Sequence, residues 1–314
     1  MPESFFILSK EHLDVAVDEV ISLARTYDKF AKIKSFSNIV MVQSKTDWQK
    51  IAQRAAFVQI SGQILHKMSG LFLDEQNFDV LNSEMMFACR VVNLSSRQIN
   101  SPELENSMGD VIAKFSQAKV SLDKPDVIIY LVFSDSGNFF GVSKKLDVKK
   151  PKKTGTHPHE LDRKLARAMI NLAGVREGDT VCDPFCGTGT ILLEAKAMGI
   201  GAIGIDYDKK MYNMSRKNLK ENGFKSRVEN SGFEHFTSIH DKYDAIVTDL
   251  PYGTASKSSE PPRELLKKFT LMIPRRKRMA VMCKNGHESG AGFVPAKRYD
   301  IYRHKSLTRT ILVK

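Results

Sequence analysis

A chain of 314 residues, 42% hydrophobic and 27% charged, is long enough for roughly two or three packed units and reads as an ordinary soluble globular protein. Its formal net charge of +12 favours a polyanionic partner, nucleic acid before membrane, and no apolar run reaches the length of a membrane span. The opening MPESFFILSKEHLD lacks the basic segment and long apolar core of a secretion signal. The four cysteines (Cys89, Cys182, Cys186, Cys283) include no Cys-x-x-Cys pair, so a cytoplasmic protein without a metal site is expected.

In chain order, residues 4–9 predict a strand, and 11–26 a helix with Leu13, Val17, Val20, Ile21 and Ala24 on one face. Residues 38–43 predict a strand and 47–58 a helix capped by Asp47. Strands follow at 85–93, 126–134 and 139–143, with a helix opened by Ser101-Pro102 between the first two. Residues 144–160, KKLDVKKPKKTGTHPHE, form a lysine-rich linker interrupted by Pro151, Gly155 and Pro158. There Lys149, Lys150, Lys152 and Lys153 are candidates to grip phosphates, or a merely solvated charge run.

From Leu161 the pattern turns to alternating helices and strands. Helices are expected at 161–173, 188–198, 209–222 and 262–272, and strands at 180–185, 202–207, 227–231, 244–249, 279–283, 299–304 and 308–314. This predicts an α/β, doubly wound, mostly parallel Rossmann-like sheet. Only Lys305-Ser306-Leu307 separates the last two strands, so they should close it as an antiparallel hairpin, a methyltransferase trait more than a dehydrogenase one.

Two strand ends carry the chemistry. Asp183-Pro184-Phe185-Cys186-Gly187-Thr188-Gly189-Thr190 is a glycine turn between a strand and a helix, without the basic residue that a phosphate would need. An acid entering such a turn suits a cationic ligand, and S-adenosyl-L-methionine has an ammonium and a sulfonium. Asp206, followed by Tyr207, ends the next strand, where an acid can accept both ribose hydroxyls. Asp249-Leu250-Pro251-Tyr252-Gly253 follows a third strand. There the Asp249 carboxylate and the Leu250 carbonyl could accept the two hydrogens of a planar amine. Its delocalised lone pair would then face an incoming methyl group, with Pro251 stiffening the turn and Tyr252 stacking on a base.

With these residues in view, the chain resembles the THUMP-domain class of tRNA N2-guanosine methyltransferases, the archaeal and eukaryotic type acting on guanosine-10. The stretches that carry the resemblance are Phe87–Val91, Ser101–Glu105 and Val120–Asp126 in the first half. In the second they are His157-Pro158, Lys164–Arg167, Asp183–Gly189, Asp206, Asp249–Gly253 and Arg303–Arg309. The resemblance implies a ferredoxin-like domain over 1–60, a THUMP RNA-binding domain over 61–143 and a catalytic domain over 161–314. It implies that His157 and Asp249 contact the cofactor and that Arg90 contacts RNA. The substrate would be the N2 amine of a guanosine in tRNA.

The chain departs from the family in two places. Leu250 stands where a proline is usual, which suggests a less rigid turn. Asn230-Ser231-Gly232-Phe233 stands where an acid usually meets the adenine, so Gly232 and Phe233 are the substitutes expected there. Arg275 and Arg276 are candidates to hold RNA phosphate near the site, or a solvated basic turn. The rival functions are an adenine N6-methyltransferase, a protein-glutamine methyltransferase and an inactive tRNA-binding protein. The catalytic unit is expected to be monomeric, and a need for a small activator subunit, as in some relatives, stays open.

Overall fold

The computed structural model describes residues 1–68, 80–153, 160–251, 261–304 and 307–314. The chain divides into two compact units. One holds residues 1–10, 28–53 and 58–147; the other holds 11–27, 54–57 and 148–314.

The first unit is built on an eight-stranded sheet: β1 (Glu3–Leu8), β2 (Lys32–Phe36), β3 (Ile39–Gln43), β4 (Val58–Met68), β5 (Met86–Asn93), β6 (Lys119–Val120), β7 (Val127–Ser134) and β8 (Gly137–Lys144). Their order is β2-β3-β1-β4-β8-β7-β5-β6. The division expected at residue 60 falls inside β4, which pairs with β1 on one side and β8 on the other, so the two expected domains share one sheet. Helix α3 (Ser101–Ser116) contributes Met108 and Ile112 to a core with Phe87, Ile129 and Phe140.

The second unit carries β9 (Thr180–Asp183), β10 (Gly201–Ile205), β11 (Arg227–Glu229), β12 (Ala245–Asp249), β13 (Arg278–Lys284), β14 (Lys297–His304) and β15 (Leu307–Val313). Their order is β11-β10-β9-β12-β13-β15-β14. The first five are parallel and the last two form the expected antiparallel hairpin against β13. The helices of this unit are α1 (Leu13–Tyr27), α4 (Arg163–Leu172), α5 (Thr190–Ala197), α6 (Lys209–Glu221) and α7 (Pro262–Leu271). Asp162 caps α4 by accepting from the Lys164 and Leu165 amides, and α4 is buried from Leu165 to Leu172. One core cluster joins Ile246, Leu250, Leu266, Phe269, Met279 and Leu312. The strand order reverses between β9 and β12, which places a ligand crevice at their carboxyl ends.

Helix α2 (Trp48–Arg54) begins at the Asp47 cap as expected but stops four residues short of 58. The cause is tertiary. The Glu19 carboxylate accepts the Ala56 amide at 2.9 Å and the Phe57 amide at 3.3 Å, and so takes donors that a longer helix would need. Among the described residues, no helix is long and apolar enough to cross a membrane.

Candidate active site

Three acids meet at the crevice. Asp183 ends β9, Asp206 follows β10 and Asp249 ends β12. Asp183 is only 2% exposed. Its Oδ1 accepts from Thr248 Oγ1 at 2.6 Å and from the Phe185 amide at 3.2 Å. Burial, followed by the charges of Asp249 and Asp206, pushes its pKa up to about 7. A carboxyl group that gives up its charge so readily in a cluster of acids is poised to receive a cation.

Asp206 holds the glycine turn in shape. Its Oδ2 accepts the Gly187 amide at 2.8 Å and its Oδ1 the Asp208 amide at 2.9 Å, and burial raises its pKa. Each carboxylate oxygen has a second lone pair, so hydroxyl donors can still be accommodated. Gly187 and Gly189 take the left-handed φ values of +51° and +85°. A Cβ at Gly189 would lie 2.6 Å from Ser215 Oγ, whereas a Cβ at Gly187 would meet nothing within 4 Å. The turn therefore packs tightly behind Gly189 and opens on space at Gly187, a cradle for a ligand beside two carboxylates. Pro184 and Cys186 are buried within it. Burial holds the Cys186 thiol well above its usual pKa, which disqualifies it as a nucleophile.

An aromatic wall stands next to the turn. Phe185 stacks on Phe233 with centroids 5.0 Å apart, and Phe269 meets both edge-on. Phe233 opens a 3-10 segment at 233–242 that the sequence reading missed. Asn230, in the stretch where the family has an acid, donates to the carbonyls of Asp206 and Tyr207, both at 2.9 Å. Its amide thus braces the end of β10, while Gly232 and the half-exposed Tyr207 lie at the rim.

Leu250 departs from the expected turn in an informative way. Its side chain is 3% exposed in the core cluster, and its amide donates to the Met282 carbonyl at 2.9 Å. Packing and a sheet hydrogen bond hold Leu250 at the position where a proline is usual. Beside it, Asp249 is ion-paired with Arg309 of β15, which is 1% exposed.

What escaped the sequence reading are the contacts that Thr248, Asn230 and Arg309 make with the three acids and their strand ends. Arg309 had a legible signal, since a charged residue at an inward position of the apolar strand Leu307–Val313 demands a buried partner. His157, Tyr252 and Gly253 lie outside the described residues.

The basic residues divide. The side chains of Lys149, Lys150 and Lys152 are exposed, as phosphate contacts require. Lys153 is not; its side chain is 5% exposed against Glu160, which corrects its expected role. Arg275 and Arg276 are exposed but precede β13, whereas Asp249 pairs with Met282 near that strand's other end. Four residues of strand rise, about 13 Å, separate Arg278 from Met282, so a phosphate near the target base is not theirs to hold. In the first unit, Arg90 lies 3.6 Å from Glu105, which also accepts the Val91 amide.

Two family models match the chain, one described as an RMKL-like methyltransferase domain over residues 151–289 and one as a DNA methylase over 2–217. The chain is 30% identical to the tRNA (guanine(10)-N2)-dimethyltransferase of Methanothermobacter thermautotrophicus, over 99% of this chain and 98% of that protein. It is 27% identical to the protein of the same name from Methanocaldococcus jannaschii, over 98% of each. The crystal structure of TrmN from Thermus thermophilus superposes with a TM-score of 0.57 at 17% identity, covering 100% of this chain and 99% of that one, which shows a shared fold. The chain belongs to the tRNA (guanine(10)-N2)-dimethyltransferase family.

Proposed function

We propose that this chain methylates the exocyclic N2 amine of a guanosine in tRNA, at position 10, using S-adenosyl-L-methionine. The observation that carries the reading is the convergence of Asp183, Asp206 and Asp249 at the reversal point of the sheet, with an open cradle at Gly187. The acids fit the cofactor's donor set: Asp183 faces a cationic end, Asp206 the ribose hydroxyls, and Phe185 and Phe233 offer faces for the adenine. When bound, the cofactor supplies an electrophilic methyl group.

The remaining work falls to the chain. Asp249 and the Leu250 carbonyl accept the amine hydrogens and turn the nitrogen lone pair toward the methyl donor, so the rate comes from positioning and electrostatics. Arg309 holds Asp249 in place. A paired guanine inside an A-form stem must first be extruded, and Tyr252 is the proposed stacking partner for it. The relatives are named dimethyltransferases, and an amine that has received one methyl keeps one hydrogen for Asp249. A second transfer is therefore part of the proposal.

The same reading assigns RNA binding to the first unit as ferredoxin-like and THUMP segments, with Arg90 and the exposed linker lysines as contacts. It assigns a cytoplasmic setting and a monomeric catalytic unit, with or without a small activator subunit. The test uses purified protein, an unmodified tRNA transcript and isotopically labelled S-adenosylmethionine, followed by digestion and nucleoside mass analysis. Label in N2-methyl- or N2,N2-dimethylguanosine, lost in Asp249→Asn, is the expected result. Label in methyladenosine would move the assignment to the adenine N6 class.

A further inference from the structure

The linker lysines divide at Lys153, whose ammonium is buried. Its Nζ donates to Glu160 Oε2 at 2.6 Å and to Thr190 Oγ1. The same Glu160 oxygen accepts from Thr188 Oγ1 at 3.0 Å. Thr188 and Thr190 flank Gly189, the left-handed residue that caps α5. The ion pair thus straddles Gly189, one of the two left-handed glycines of the turn.

The segment leading to Lys153 is pinned as well. The Arg167 guanidinium donates to the Lys149 carbonyl at 3.1 Å, and the Lys152 amide donates to Asn222 Oδ1 at 2.7 Å. From the opposite side, Asn218 Nδ2 donates to the Thr188 carbonyl at 2.9 Å. Burial lowers the Lys153 pKa, with Glu160 opposing the shift. A buried ion pair is seldom worth much for stability alone, since apolar residues of the same volume often serve as well. What an apolar pair could not do is hold two hydroxyls on either side of a left-handed glycine.

We infer that Lys153 and Glu160 are positioning residues for the cofactor turn, fixing Thr188 and Thr190 so that the turn stays shaped for its ligand. The inference rests on the reading of Asp183–Thr190 as the cofactor turn. It separates Lys153 from its exposed neighbours: Lys149, Lys150 and Lys152 act on RNA, whereas Lys153 acts on cofactor affinity.

The test is calorimetric titration of the full chain with S-adenosylhomocysteine, paired with initial rates on a tRNA transcript. Lys153→Met should raise the cofactor Kd and KM by about tenfold, a change of ~1.4 kcal/mol, while the KM for tRNA stays put. The double variant Lys153→Met/Glu160→Gln, which loses both positioning groups, should bind the cofactor no more tightly than the single variant, and full recovery of affinity in it would overturn the inference. Hydrogen exchange at the 188–190 amides should accelerate in the single variant and stay accelerated in the double. If Lys153→Met folds poorly, Glu160→Gln alone provides the same comparison. A raised tRNA KM with unchanged cofactor Kd would overturn the inference, as would a lowered Tm with unchanged affinity. A wild-type chain that binds no S-adenosylhomocysteine would sink the reading of the turn itself, before any variant is compared.

Discussion

Arg309 reaches Asp249 from a strand sixty residues further along the chain, and the two form an ion pair at the carboxyl end of β12. The C-terminal hairpin therefore does more than close the sheet. Its second strand brings a buried guanidinium to the carboxylate that is proposed to hold the amine. Asp249→Asn should cost roughly 100-fold or more in kcat, the order seen for loss of one preorganised charge-stabilising group. Arg309→Met should cost about 3 kcal/mol of stability by taking the buried guanidinium away from the Asp249 carboxylate. The Asp249→Asn/Arg309→Met double variant should regain most of that stability in chemical denaturation while remaining inactive. Recovery of activity in the double variant would separate the ion pair from catalysis.

Proton linkage tests Asp183. Its pKa in the folded chain lies at about 7, above the ordinary carboxylate value, with burial as the main cause. The raised value means that its stabilising contribution is fully present below about pH 4 and is lost as pH rises through 7. A cationic ligand favours the ionised form, so binding at pH 6 should release protons. Titration calorimetry in buffers of different ionisation enthalpy should detect the release, and Asp183→Asn should abolish it together with most of the affinity. Equal heats in all buffers would contradict the assignment.

The two glycines of the turn should behave differently. Gly189→Ala places a Cβ against Ser215 at a left-handed φ of +85°, so it should lower stability by about 1–3 kcal/mol and weaken cofactor binding. Gly187→Ala adds its methyl to open space, so the structural cost should be smaller while cofactor affinity falls as steeply. Thermal melts with and without S-adenosylhomocysteine distinguish the two effects. Undiminished affinity in Gly187→Ala would show that the ligand does not approach that backbone.

A second buried carboxyl group supports the catalytic unit from behind. Glu19 is fully buried, accepts from Asn171 Nδ2 at 2.7 Å, and has a pKa raised to about 7 by burial. Arg54 donates to Asn171 Oδ1 at 2.8 Å and to the Val175 carbonyl at 2.9 Å, completing the network. Glu19→Ala strands the Ala56 and Phe57 amides and should cost about 2–3 kcal/mol. Glu19→Gln, which cannot ionise, should weaken the loss of stability that this carboxyl group contributes as pH rises through 7. Denaturant midpoints measured from pH 5 to 8 would reveal it.

The α/β half was legible because its strands and helices alternate with clear turn residues, and Asp183, Asp206 and Asp249 each sit at or beside a strand end. What was not legible depends on partners distant in sequence. The early end of α2 is set by Glu19, 37 residues before Ala56, and no local propensity records that. The strand β4, whose first residue Val58 reads as the end of that helix, goes unread as well. Lys153 read as one more lysine of a basic run, since burial against Glu160 and Thr190 leaves no mark in composition. Arg275 and Arg276 were placed near the site by charge alone; strand direction puts them at the far end.

The most direct measurement of the central claim compares two tRNA transcripts that differ in one group, with guanosine or inosine at position 10. Inosine keeps the purine ring and its carbonyl but lacks the exocyclic amine. Methyl transfer to the guanosine transcript, with none to the inosine transcript, is the predicted result. Equal transfer to both would contradict the claim, because the accepting atom would then lie elsewhere.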